Sequence, residues 1–252
     1  MQERTDISII TVTYNCEATI ERTLRSIESQ SSTAFEHIII DGAATDGTMR
    51  LVEAYKARNP HLHITAQSEP DHGLYDAMNK GIRRARGSFI VFLNAGDKLH
   101  SDDVLQRIAA HDPQKVGVVY GETDLVDDEG RFLRHRRLSV PERLTSRSFL
   151  RGMLVCHQSF YANRRLVQPY DLQYRYSADV DWCIRVMKAC EAEGMEMVNV
   201  HAVLTDYLSE GMTTQHQRAS LLERFRVMRS HYGLCATLGA HLYIIGRSLF
   251  LK

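Results

Sequence analysis

The sequence predicts an α/β protein with a mostly parallel central sheet flanked by helices, a small antiparallel addition and a helical tail. Three observations carry this prediction. Within the first hundred residues, four apolar segments rich in Ile, Val, Thr and Phe alternate with segments whose apolar residues recur at helical spacing. Such alternation calls for parallel strands joined by right-handed crossovers. The run SFIVFL at 88–93 is apolar without period-two alternation, as in a strand covered on both faces. Finally, Asp41 and Asp97 each fall at the carboxyl end of a strand segment, where open α/β sheets collect their ligands.

Taken in order, residues 6–14 (DISIITVTY) read as the first buried strand, ending at Tyr14 and Asn15. A helix over 18–30 follows, with Ile20, Leu24 and Ile27 as its apolar stripe. Strand 36–40 delivers Asp41, and DGAATDGT at 41–48 turns the chain into a helix carrying Met49, Val52 and Tyr55. Strand 63–67 leads to Gly73, which opens a helix with Leu74, Met78 and Ile82 on one face, and Gly87 stops it before strand 88–93. Asp97, at the end of that strand, suits either an oxygen ligand for a divalent cation or the cap of the next turn.

A short helix at 102–110 precedes strands at 116–120 and 131–136, which form a hairpin around the DDEG turn at 127–130. Arg134, Arg136 and Arg137 make that hairpin basic, which suits a solvated edge first and contact with phosphate second. Residues 149–161 form a short apolar segment interrupted by His157 and Gln158, 179–190 a helix opened by Asp179 and Asp181, and 198–203 a strand. In the tail, a helix at 217–232 sets Leu221, Phe225 and Met228 beside four arginines, and 238–251 is apolar but broken by Arg247. That last segment falls short of the ~20 residues of a membrane span. It packs on the domain, or lies on a membrane as a basic amphipathic helix.

Composition narrows the function. Lys plus Arg and Asp plus Glu number 31 each, so net charge points to no nucleic-acid partner. Five cysteines without a CxxC pair suit a reducing compartment, and the charged start MQERTD lacks a secretory signal, so a cytoplasmic protein is expected. The first strand is followed by TYNCEA, which excludes the glycine fingerprint of a dinucleotide site, and no P-loop occurs. What remains is a nucleotide fold that positions its ligand with aspartates at strand ends.

Five blocks in order, SIITVTYN (8–15), DGAATDGT (41–48), EPDHGLYDAMNKG (69–81), FLNAGD (92–97) and SADVDWCIR (177–185), resemble the family 2 glycosyltransferases, inverting enzymes of the GT-A fold. The NAGD in place of a fuller acidic cluster resembles enzymes of bacterial surface polysaccharide and glycolipid synthesis. The resemblance implies transfer of a sugar from a nucleotide-diphosphate donor, UDP by preference, to a saccharide or lipid-linked acceptor. It places Thr13, Tyr14, Asp41, Asp71 and Asn79 around the donor nucleotide, and Asp97 on a divalent cation, Mn2+ or Mg2+. It places His157 and Gln158 at the acceptor or diphosphate, with a structural histidine as the alternative, and makes Asp179 the catalytic base. A nucleotide-sugar-binding protein of the same fold without activity is the alternative function. The expected division is a transferase domain at 1–215, its halves meeting at 114/115, and a helical extension at 216–252.

Overall fold

The computed structural model describes residues 6–209 and 217–250; the predicted boundary at 215/216 and the end of the tail at Leu251 lie outside the described residues. The elements are β1 (Ile7–Thr13), α1 (Ile20–Glu28), β2 (Phe35–Asp41), α2 (Thr48–Arg58), β3 (His63–Ser68), α3 (Leu74–Arg84), β4 (Phe89–Phe92), β5 (Lys98–Leu99) and α4 (Val104–Ala109). The second half adds β6 (Val116–Val126), β7 (Phe132–His135), β8 (Phe160–Asn163), α5 (Ala178–Ala192), β9 (Glu196–Leu208), α6 (Gln217–Tyr232) and α7 (Leu234–Phe250).

The strands form one sheet in the order β3-β2-β1-β4-β8-β6-β9-β5, with β7 paired to β6. β1 to β4 are parallel, as the βα alternation requires. Beyond β4 the sheet turns mixed, because β8 runs antiparallel between β4 and β6 while β6 and β9 are parallel. The hairpin at 127–130 forms, and β7, exposed along its whole length, pairs with β6. β1 and β4 are buried at every position, which is why their sequences read as unbroken apolar runs.

Several elements depart from the sequence-based expectation: β5 was not expected, and β6 runs 11 residues where five were expected. Residues 160–163 form a fully buried central strand, β8, where only an apolar segment was expected. Four residues reading FYAN are too few to show a period. β9 spans 13 residues and not the six predicted, since its final stretch TDYL looks like a turn when read alone. In α6 the stripe is rotated: Val227 and Met228 are buried, whereas Leu221 is exposed.

The largest core cluster joins α3, β4 and α5 around Trp182, which is fully buried. Its ring stacks on Tyr170 at 5.3 Å and meets Phe92 edge-on at 5.5 Å, and its Nε1 donates to the Gln168 carbonyl at 2.9 Å. Those contacts fix the first turn of α5 against the end of β4, and so set where Asp179 points. α6 packs against α5, and α7 against α6 and the turn at Ser148–Arg151.

Candidate active site

The carboxyl ends of β1, β2 and β4 open onto a cleft of about 770 Å³, closed on the far side by the 157–158 turn, the start of α5 and the end of β9. Of the residues singled out from sequence, Thr13, Tyr14, Asp71, Asp97, His157, Gln158 and Asp179 all line it. They come from five separate stretches of chain, brought together by the β1-β4-β8 order of the sheet.

Two expected donor contacts are not brought to the cleft wall. Asp41 is fully buried beneath it, and its carboxylate accepts from the Thr13 hydroxyl at 2.9 Å, the Ala44 N–H at 2.9 Å and the Ser68 hydroxyl at 2.6 Å. Three donors on one carboxylate pin the loop in which Ala43 adopts a left-handed φ of 62°. Asp41 thus shapes the floor on which Gly42 is exposed to the cleft. A Cβ at Gly42 would lie 2.5 Å from Asp71 Oδ2, so any side chain there would displace the Asp71 carboxylate. Asn79 is turned inward on α3, its amide both donating to the Tyr170 carbonyl at 3.0 Å and accepting from the Tyr170 N–H at 2.6 Å. It holds a core aromatic, not the donor.

Asp97 sits at the closed end. Its Oδ1 accepts from the Leu208 N–H and its Oδ2 from Gln158 Nε2, each at 2.9 Å. Both donors come from distant segments, so Asp97 is not the cap of its own turn. Gln158 is oriented for this role by Cys156, whose thiol donates to Oε1 at 2.7 Å. Burial pushes the Asp97 carboxyl up to about 6, against the pull of those two donors and of the nearby His157 and Arg22 charges. Asn94 Oδ1, also at the cleft, is buried without a hydrogen-bond partner among the described residues. A buried carboxylate beside an unsatisfied amide oxygen is a hard-oxygen donor set that fits Mn2+ or Mg2+.

Across the cleft a row of polar contacts leads to Asp179. Asn94 Nδ2 lies 3.5 Å from His157 Nε2, His157 Nδ1 lies 3.5 Å from Asp179 Oδ2, and the Tyr75 hydroxyl donates to Asp179 Oδ1 at 3.3 Å. The His157 tautomer with its proton on Nδ1 satisfies both neighbours. Burial alone would raise the Asp179 carboxyl. The His157 contact and the charge of Arg224, joined by that of His157 when its ring is protonated, outweigh it and hold the group below the ordinary aspartate value. Asp181 points away, gripped by Arg185 Nε and His231 Nε2 at 2.7 Å each.

Sequence reasoning missed Tyr75, Arg175, Tyr176, Tyr207 and Leu208 as lining residues. Tyr75 lies inside the block 69–81 and was within reach; Tyr207 and Leu208 were hidden by the misjudged end of β9. Elsewhere, ligand atoms of His100, Asp124 and Asp206 lie within 4.8 Å of one another. Asp206 there is already paired with Lys98 at 3.0 Å and His100 at 2.6 Å, and none of the three lines the cleft.

A mixed α/β sheet with acids converging on one cleft beyond the parallel strands defines a GT-A glycosyltransferase fold. The model of the glycosyl transferase family 2 matches residues 8–168, and the chain belongs to that family. It is 34% identical over 185 residues, 71% of this chain and 68% of the other, to a PGL/p-HBAD biosynthesis glycosyltransferase of Mycobacterium bovis. It is 28% identical over 149 residues to a putative teichuronic acid biosynthesis glycosyltransferase of Bacillus subtilis, covering 59% of this chain and 58% of that one. Among solved structures, S. aureus TarS in complex with UDP-GlcNAc superposes with a TM-score of 0.68 at 19% identity, covering 89% of this chain. The chain spans 64% of the length of that TarS structure. A mannosyltransferase from Pyrobaculum calidifontis in complex with GDP-Man and Mn2+ gives a TM-score of 0.63 at 21% identity, covering 96% of this chain and 70% of that one.

Proposed function

We propose that this protein moves a sugar from a nucleotide-diphosphate sugar to a saccharide or lipid-linked acceptor in cell-surface glycan or glycolipid synthesis, with inversion at the anomeric carbon. The observation that carries this reading is that Asp97 and Asp179 line one cleft on either side of the 157–158 turn, Asp97 bonded to Gln158 in a hard-oxygen setting and Asp179 beside His157 with its carboxyl held below the ordinary aspartate value. UDP is the preferred donor nucleotide, as in the complex of the TarS neighbour, with Thr13, Tyr14 and Asp71 around it. The mycobacterial and Bacillus relatives are named for glycolipid and teichuronic acid synthesis, which supports the acceptor class.

The chemistry is a single displacement. Asp179 accepts the proton of the acceptor hydroxyl as its oxygen bonds to the anomeric carbon, and the bond to the diphosphate breaks with its electron pair leaving on phosphate oxygen. His157 and Tyr75 hold Asp179 ionised and aimed into the cleft. Asp97 and Asn94 would hold the divalent cation, which supplies neutralisation of charge on the departing diphosphate.

Five unbridged cysteines fit a cytoplasmic setting. No described helix is long and apolar enough to cross a membrane. Among the described residues, six of the ten large apolar side chains left exposed lie on α6 and α7: Leu221, Leu222, Leu234, Leu238, Leu242 and Tyr243. That concentration supports peripheral contact with the membrane carrying the acceptor.

The test is incubation with labelled UDP-, GDP- and dTDP-sugars, with and without Mn2+ or Mg2+, following free nucleotide and labelled product. Cation-dependent turnover of one donor is expected. Tight binding of a donor without any turnover, even as slow hydrolysis, would leave a binding protein of the same fold.

A further inference from the structure

The start of α5 lacks a cap of its own. Ser177 occupies the N-cap position, yet its side chain makes no capping bond and its hydroxyl donates instead to the Ser220 carbonyl of α6 at 3.2 Å. The N–H groups at a helix start need acceptors, and in a buried position they need them from the protein. Glu223 of α6 supplies one to the N-cap residue Ser177 and to the two N–H groups that lead into the helix. One carboxylate oxygen accepts the Arg175 N–H at 2.7 Å, and the other accepts those of Tyr176 at 2.5 Å and Ser177 at 2.7 Å. Three consecutive N–H groups converging on one carboxylate form an anion cradle, here filled from 46 residues away in sequence.

The segment so clamped is part of the active site. Arg175 and Tyr176 line the cleft, and Asp179 follows two residues after Ser177. Trp182 anchors the other side of the same turn in the core. The first turn of α5 is thus held on one side by the packing of Trp182 and on the other by Glu223. α6 also brings the charge of Arg224 to bear on Asp179.

Building on the reading of Asp179 as the base, we propose that Glu223 is a positioning residue for the transfer reaction: its carboxylate locks the backbone of residues 175–177 and thereby the aim of Asp179 at the acceptor hydroxyl. The helical tail is then a component of the catalytic apparatus and not an appendage. Base geometry matters steeply, since a displacement of about 1 Å can cost about 10²-fold in rate.

The experiment compares Glu223→Ala, His231→Gln and Asp179→Asn in the full chain, measuring kcat, donor Kd by calorimetry in the absence of acceptor, and melting temperature. His231→Gln loosens α6 from Asp181 without touching the clamp. Glu223→Ala is expected to lower kcat by about 10²-fold while donor Kd stays within about twofold, a loss confined to the transition state. His231→Gln is expected to keep kcat within about threefold. A wild-type kcat in Glu223→Ala, or losses in both variants that follow their losses of melting temperature, overturns the proposal. Should Glu223→Ala not fold, Glu223→Gln replaces it; one acceptor oxygen for three N–H groups is expected to cost about tenfold in kcat, and a wild-type kcat there overturns the proposal equally. Asp179→Asn separates the two ideas. Inactive Asp179→Asn beside fully active Glu223→Ala sinks the clamp alone, whereas active Asp179→Asn sinks the assignment of the base and the clamp with it.

Discussion

Asp97 is expected to make the cation-free protein less stable than it would be without the charge. Its carboxyl titrates near 6 and not at 3.8, chiefly because it is buried, 3% exposed, at the closed end of the cleft. The folded state therefore holds the Asp97 proton more tightly than the unfolded chain does. Stability from this group is fully present below about pH 4, is lost as pH rises from 4 to 6, and stays lost above. A displacement of about two pH units at ~1.4 kcal/mol each amounts to about 3 kcal/mol. Asp97→Asn stays neutral at every pH, with one acceptor oxygen and an NH2 group in place of the acid's hydroxyl. In EDTA the variant should match the wild type near pH 4 and exceed it by about 3 kcal/mol at pH 7.5, roughly 6 to 12 °C in melting temperature for a chain of this size. Added Mn2+ should stabilise the wild type at pH 7.5 and leave the variant unmoved. Cation affinity should fall about tenfold per pH unit below 6, as a proton competes for the carboxylate. Thermal melts from pH 4 to 8 with and without the metal test all of this. A variant less stable than the wild type at pH 7.5 in EDTA, or a difference that does not change between pH 4 and 7, would refute the reasoning.

The other outcomes follow from contacts around the same cleft. Asp179→Asn should lower kcat by ~10² to 10⁴ with donor binding intact, whereas Asp181→Asn, which loosens the grip of Arg185 and His231, should cost ~1 to 3 kcal/mol in urea unfolding and little turnover. Equal losses of turnover in the two would move the base elsewhere, with His157 next. Asp41→Ala strands the Thr13 hydroxyl, Ala44 N–H and Ser68 hydroxyl, and should weaken UDP binding together with a loss of ~1 to 3 kcal/mol of stability; unchanged calorimetric affinity would show that the loop does not serve the nucleotide. Flotation with anionic liposomes at low salt should carry the wild type upward, and Leu222→Asp combined with Leu242→Asp should return it to the soluble fraction. Wild-type protein that stays wholly soluble would end the idea of membrane contact.

The parallel half of the fold was legible because β1, β2 and β4 are buried on both faces, with only the edge strand β3 left partly open, and each helix carries a stripe, so local sequence and final environment agree. The mixed half was not. β8 is four residues long, and β9 ends in residues whose polarity serves the cleft and the Asp206 ion pairs, so pattern and structure part company there. The candidate site divides in the same way. Asp97 stood out at a strand end, His157 and Gln158 as interruptions of an apolar segment and Asp179 at the start of a helix, and the structure brings all four to one cleft. Asp41 stood out at a strand end and Asn79 through the family resemblance, yet their side chains are consumed by the loop and the core. A short motif marks a residue that cannot be exchanged but does not say whether a ligand or the backbone requires it. The distinction depends on how many lone pairs and donors are already engaged. Asp41 accepts three described bonds and has no surface, whereas Asn94 keeps an unpartnered oxygen at the cleft. By that criterion Asn94 is a stronger candidate for the cation than Asp41 is for the nucleobase. The same criterion explains why Glu223 was invisible: no neighbour in sequence betrays a carboxylate whose partners are three backbone N–H groups nearly fifty residues upstream.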